Sequence, residues 1–203
     1  METIHEWVVR LFPSPGWFVE AGAHDGIGDS ATWALERAGW SGLCVEPSSA
    51  FAGLRVSRDC QVDNRALWSA SGESVEFIEV AGNGIELSGL AEALDPDWRR
   101  AQLPHTIRRV ETITLTDVLA QHGAPPFIEF LSLDVEGAEF EILAAHDFGR
   151  FSFGAISTEH NRVDVRRKEV RDLLAARGFR LAVANAWDVE DWFVGKGLAN
   201  AAT

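Results

Sequence analysis

Phe18-Val19-Glu20-Ala21-Gly22-Ala23-His24-Asp25-Gly26 is the stretch that decides the fold. An apolar run opening at Trp17 feeds a glycine-rich turn. A helical pattern follows, which Asp29 or Ser30 can cap and Gly39 can end. Strand, glycine turn and helix in that order build a ligand site at the carboxyl end of a sheet. Glycine lets the backbone approach a ligand, and helix-start amides supply donors.

Working outward, Gly42-Leu43-Cys44-Val45-Glu46 reads as a second strand stopped by Pro47. A helix over 48–57 and a third strand over 60–66 follow. The chain begins with a helix over 3–12. Ser74 to Val80 alternates like a half-buried strand, and 108–113 reads as an extra strand. Thr116 to His122 is a short helix, Phe127 to Leu133 a buried strand, and Gly137 to Ala145 a helix. Phe153 to Thr158 is another strand, 164–177 an amphipathic helix, and Phe179 to Val183 and Asp191 to Val194 close the sheet. Strands alternating with helices predict an α/β fold, a mostly parallel sheet covered on both faces. We read 1–203 as one domain: an N-terminal helix and linker over 1–16, a lid or substrate loop over 81–107, and a frayed tail over 197–203.

Composition narrows the function. A net charge of −13 opposes nucleic acid and anionic membrane surfaces as partners. No apolar run approaches membrane-spanning length, and residues 1–9 lack a signal-peptide pattern, so the expected compartment is the cytoplasm. Cys44 sits in an apolar run; two cysteines, Cys44 and Cys60, make neither a disulfide framework nor a metal motif. There are only two lysines, Lys168 and Lys196, and no tyrosine, which leaves few choices for a catalytic base.

Glu46 ends the second strand, 24 residues after Gly22. A carboxylate there can accept hydrogen bonds from both hydroxyls of a ribose. A dinucleotide fingerprint would read Gly-x-Gly-x-x-Gly, but His24 stands where its second glycine would be. That counts against a nicotinamide-dependent oxidoreductase, the rival enzyme class. The spacing Glu20-x-Gly22-x-x-x-Gly26 is instead similar to motif I of class I methyltransferases.

Leu131-Ser132-Leu133-Asp134-Val135-Glu136-Gly137-Ala138-Glu139 follows an apolar strand and opens a helix. From Asp134 to Glu139 it resembles the hallmark of the FkbM-type methyltransferases. Val19 to Gly26 resembles that family's first motif, and Gly39 to Pro47 its second strand and ribose carboxylate. Asn64-Arg65-Ala66-Leu67 resembles the segment beside the adenine. Thr112 to Leu119 resembles the lead-in to the fourth core strand, and Thr158-Glu159-His160-Asn161 the end of the fifth. The resemblance covers residues 17–195. It implies a Rossmann-like, seven-stranded sheet with an antiparallel last strand. It also implies S-adenosylmethionine as cofactor, bound by Glu20, Gly22, Ala23, His24, Gly26, Glu46, Pro47, Asn64, Ala66 and Asp134. The reaction it suggests is O-methylation of a sugar or natural-product hydroxyl, with a small-molecule or saccharide acceptor as partner. His24 departs from the asparagine of many relatives. A catalytically silent relative is the third reading; the presence of Gly22, Gly26, Glu46 and Asp134 opposes it.

A hydroxyl needs help to act as a nucleophile, and two readings compete. In one, His160 or His24 is the general base, with Asp134 beside it. In the other, Asp134, Glu159 and Asn161 offer hard oxygens to Mg²⁺ or another divalent cation. Arg99, Arg100, Arg108 and Arg109 are candidates to hold an acidic substrate group, though a solvated surface is the simpler reading. Trp98, Trp187 and Trp192 are candidates to stack on a sugar, and Trp33 and Trp40 to pack helix on strand. A strand edge at 74–80 or 108–113 is open to pairing in a homodimer.

Overall fold

A computed structural model describes residues 2–82, 84–94 and 103–198. In chain order the elements are α1 (Ile4–Leu11), β1 (Trp17–Ala21), α2 (Trp33–Arg37), β2 (Ser41–Val45), α3 (Phe51–Ser57), β3 (Gln61–Asp63), β4 (Ala66–Leu67) and β5 (Ser74–Val80). A 3-10 turn (Ile85–Leu87) precedes β6 (Gly89–Leu90). Then come β7 (His105–Ile113), α4 (Leu115–Gln121), β8 (Phe127–Leu133), α5 (Glu139–Ala145), β9 (Ser152–Glu159), α6 (Asp164–Ala176), β10 (Phe179–Ala186) and β11 (Glu190–Gly195).

Seven strands form the main sheet in the order β10-β11-β9-β8-β1-β2-β3. β3, β2, β1, β8 and β9 are parallel, and β11 runs antiparallel to both of its neighbours. A mostly parallel, seven-stranded sheet closed by an antiparallel strand is what the resemblance implies. Inner strands read as near-continuous apolar runs because helices cover both faces; Phe18, Val19, Leu43, Phe130, Leu131 and Ile156 are fully buried. The chain switches direction across the sheet between β1 and β8. There the carboxyl ends part and leave a crevice for a ligand.

Residues 60–66 do not form one strand. β3 ends at Asp63, whose carboxylate folds back to accept the Arg65 N–H at 3.0 Å. That local turn sends Ala66–Leu67 into a second sheet, β4-β7-β5-β6. The strands read at 74–80 and 108–113 pair with each other, antiparallel, from Ser74↔Glu111 to Val80↔His105. One buried cluster joins both sheets, running from Val19 and Leu43 to Phe77, Val110 and Ile113.

Helix starts differ from the sequence reading for local reasons. α1 has a full capping box between Thr3 and Glu6. At α2 the cap position is Thr32, not Asp29 or Ser30. Thr32 Oγ1 is diverted to Glu20 Oε2 (2.5 Å), and Ser30 Oγ accepts the Trp33 N–H instead (3.0 Å). α5 starts at Glu139 because Glu136 and Gly137 have φ of 59° and 113°, which no helix allows.

The expected loop over 81–107 contains the 3-10 turn and β6, and its last residues, 105–107, belong to β7. Trp98, Arg99, Arg100 and the end of the tail lie outside the described residues. Trp40 packs in the core as expected, but Trp33 is 39% exposed. Trp192 is buried against Trp7 with ring centroids 5.1 Å apart, so it is no sugar platform; Trp187 is exposed.

Candidate active site

The turn after β1 is shaped by backbone contact. Gly22 has φ 79°, and a Cβ there would lie 1.7 Å from the Asp134 carbonyl oxygen. Only glycine allows the β1 and β8 strand ends to meet so closely. Asp25 Oδ1 then accepts the Ile27 and Gly28 N–H groups, closing the loop on itself. Gly26, also left-handed at φ 81°, is glycine for a different reason. Its Cβ would strike Leu54, Ser57 and Arg58, so it packs the loop on α3 and does not line the cavity.

Glu20, next to last in β1, is the anchor of this loop. Its carboxylate accepts from Ser30 Oγ, the Ala31 N–H, Thr32 Oγ1 and Arg58 Nη1. Arg58, wholly buried, also bonds Glu36. Glu20 touches the cavity, but its donors are all protein groups.

Glu46, immediately after β2, is 6% exposed. Oε2 accepts the His24 N–H and Oε1 the Ser48 N–H, both at 2.8 Å. These two bonds fix the carboxylate at the cavity wall and leave each oxygen a further lone pair, the requirement for holding two ribose hydroxyls. Asn64 does not line the cavity; its Nδ2 donates to the Glu46 carbonyl (2.8 Å) and steadies that strand end.

The cavity has a volume of about 280 Å³. The strand-end turn Gly22, Ala23 and His24 forms one wall, and Glu46 with Pro47 another. Ala66, Leu67, Phe77 and Leu90 supply an apolar slot, to which the expected lid contributes Ile85, Glu86, Ser88 and Gly89. Asp134, Glu159 and Glu190 also line the cavity and form its acidic end. The small second sheet thus forms one side of the pocket.

That acidic end has unusual electrostatics. One oxygen each from Asp134, Glu136 and Glu159 lie within 4.8 Å of one another. Burial pushes the Glu159 carboxyl far above the usual carboxylate range, and the Asp134 charge beside it adds to the shift. Asp134 opens to the cavity yet is ringed by protein; burial raises it too, and the charges of Glu20 and Glu46 add. Two carboxyls so close hinder each other's ionisation, and burial adds to this for both. Glu190 is raised by burial and receives the Trp192 Nε1–H at 2.8 Å. Glu139, at the start of α5, accepts the Val135 and Gly137 N–H groups, and burial pushes it up to about 8.

His24 lines the cavity in a left-handed conformation (φ 50°), its Nδ1 3.7 Å from Asp25. His160 does not line it. Its ring is buried, Nδ1 accepts the Arg162 N–H (3.1 Å), and Nε2 points toward Asp191, 4.0 Å away. Burial lowers its pKa, so the ring is neutral at pH 7. Asn161 also lies outside the lining, and its Nδ2 donates to Glu136 (3.2 Å). Glu136 takes the third place in the carboxylate group where Asn161 was expected. Arg108 bonds Glu79 and Arg109 the Ser74 carbonyl, both away from the cavity.

Among the described residues no helix is long and apolar enough to cross a membrane. None of the curated proteins compared matches the chain. Among solved structures it is similar to a ribosomal protein L11 methylase from Lactobacillus delbrueckii subsp. bulgaricus. The TM-score is 0.46 and the identity 10%, over 93% of this chain and 74% of that one. It is also similar to a precorrin-6y C5,15-methyltransferase from Geobacter metallireducens GS-15. There the TM-score is 0.45 and the identity 14%, over 92% and 85%. The family model of the methyltransferase FkbM domain matches residues 20–181, from the end of β1 into β10. With most of the chain inside that match, the protein belongs to the FkbM methyltransferase family.

Proposed function

We propose that this S-adenosylmethionine-dependent methyltransferase methylates a hydroxyl of a small-molecule or saccharide acceptor in the cytoplasm, with Asp134 as the base. The observation that carries this reading is the Asp134–Glu159 pair lining the same cavity as Glu46. When bound, the cofactor supplies a methyl group already activated on a sulfonium. The protein therefore has to orient two partners and accept one proton.

Glu46 holds the ribose hydroxyls through its two remaining lone pairs, and the Gly22 turn admits the cofactor's amino-acid end against bare backbone. The slot of Ala66, Leu67 and Phe77 takes the adenine. Asp134, ionised while Glu159 keeps its proton, accepts the hydroxyl proton of the acceptor. Glu159 is a positioning residue: its proton holds the Asp134 carboxylate in place and keeps its pKa within reach of neutral pH. His24, in the turn after β1, remains a second candidate.

The same three carboxylates are oxygen ligands of a kind Mg²⁺ accepts, and their spacing favours a cation as the second reading. Transfer assays with labelled S-adenosylmethionine and a panel of sugars and polyols, run with and without chelator, test both. Transfer to hydroxyls that persists in chelator supports the proton-sharing reading. Loss in chelator with rescue by Mg²⁺ supports the cation. Binding of the cofactor without transfer to any hydroxyl, while amines are methylated, overturns O-methylation.

A further inference from the structure

Cys44 and Cys60 are the only cysteines in the chain, and the fold brings their sulfurs to 3.6 Å. They lie on neighbouring parallel strands: Cys44 within β2, fully buried, and Cys60 just before β3, half-buried and open to solvent. The sulfurs form a relay, since Cys60 Sγ–H donates to Cys44 Sγ, and Cys44 Sγ–H donates to Glu20 Oε2 at 3.7 Å. Glu20 in turn holds Ser30, Ala31 and Thr32, and Ser30 and Ala31 line the cofactor cavity.

We propose that Cys44 and Cys60 are a site of reversible oxidative modification, closing to a disulfide under peroxide and loosening the cofactor loop through Glu20. A disulfide bond is about 2.05 Å long, so the sulfurs must close about 1.5 Å, within reach of side-chain rotation. Cys60, the less buried of the two residues, attacks hydrogen peroxide as its thiolate. An S–O bond forms, the O–O bond breaks, and one water leaves with the proton Cys60 gave up. Cys44 then attacks the Cys60 sulfenic sulfur. The S–S bond forms, the S–O bond breaks, and the departing hydroxide takes the Cys44 proton, passed by way of Glu20, as a second water. Two thiols lose two electrons, and one peroxide gains them. The disulfide removes the sulfur–hydrogen donor from Glu20 and draws Cys44 toward β3, so the anchor of residues 30–32 shifts. A thiol reductant restores the open pair, consistent with a reducing compartment.

The test uses the full chain treated with hydrogen peroxide, quenched, and weighed intact, with calorimetric titration of S-adenosylmethionine before and after. The expected product is a monomer lighter by two hydrogens, with both thiols silent to Ellman's reagent in denaturant and both recovered after dithiothreitol treatment and its removal. Cofactor affinity should fall about fivefold or more on oxidation and return on reduction. Cys60→Ser should lose the mass change while binding cofactor as the reduced protein does. Addition of oxygen atoms without loss of hydrogens, or a covalent dimer, overturns the pairing. A disulfide that leaves affinity unchanged overturns the link to the loop. The cofactor affinity presupposes the reading above; if the reduced protein binds no cofactor, that reading fails, and the mass measurement still decides the pairing by itself.

Discussion

Gly22 and Asp134 pack backbone against backbone, so closely that a Cβ on Gly22 would lie 1.7 Å from the Asp134 carbonyl oxygen. One contact therefore ties the cofactor turn after β1 to the acidic residue after β8. Gly22→Ala should cost about 1–3 kcal/mol of stability through its positive φ alone. It should also abolish measurable cofactor binding, because the strand ends must part. A thermal melt and a calorimetric titration check this. Gly26→Ala should lose comparable stability through its clash with Leu54 and Arg58, yet keep part of the binding.

Glu159→Gln separates orientation from proton transfer. The amide still donates to Asp134, so transfer should stay within a few fold, whereas Glu159→Ala, which removes the donor, should lower transfer about a hundredfold while cofactor affinity stays within about threefold. Asp134 must be ionised to act as a base, and its pKa is raised by burial. The wild-type rate should therefore rise with pH through a value above the ordinary aspartate range and then level. A rate profile from pH 5 to 9 reads this directly. A rate flat across that range contradicts the assignment.

His160→Gln should keep transfer within a few fold, since the ring lies outside the cavity and is held by the Arg162 N–H. The expected cost is about 1 kcal/mol of stability from the lost buried contact. A collapse of transfer with cofactor binding intact would return His160 to the role of base.

Glu139 predicts a pH-dependent stability. Its folded pKa of about 8 lies above its ordinary value of 4.5. Between those values the unfolded chain has released the proton and the folded chain has not. The folded state thus binds more protons, and stability falls as pH rises across that window. Glu139→Gln keeps the acceptor for the Val135 and Gly137 N–H groups and should flatten the slope, raising the melting temperature at pH 8 relative to wild type. Asp63 works in the opposite sense. Burial opposes its ionisation, but hydrogen bonds from Arg65 and His122 hold it down to about 2. Its contribution is present above the unfolded aspartate value near 3.8 and is lost as pH falls toward 2.

The parts of this architecture that follow from local rules were legible in the sequence. Phe127 to Leu133 announces a central strand by its five apolar residues, broken only by Glu129 and Ser132, and Gly22 and Glu46 mark the strand ends by type and spacing. Four features were not legible because they depend on where the chain goes next. Asp63 turns the chain out of the main sheet, which hides the second sheet and the pairing of 74–80 with 105–113. Glu136 stands two residues from Asp134, but its left-handed φ of 59° brings its carboxylate back to Asp134 and Glu159. Asn161 turns the same way at φ 45° and reaches Glu136 rather than the cavity. Non-glycine residues at positive φ are rarely signalled by type alone. The approach of Cys44 and Cys60 needs the β2–β3 register, which spacing alone does not give.

The most direct test of the central claim is calorimetric titration of the reduced protein with S-adenosylmethionine, beside Glu46→Gln. Binding by the wild type, weakened about tenfold by loss of one charged hydrogen bond to the ribose, is the predicted result. Equal affinity in the two proteins, or no binding by folded wild-type protein, would contradict the account.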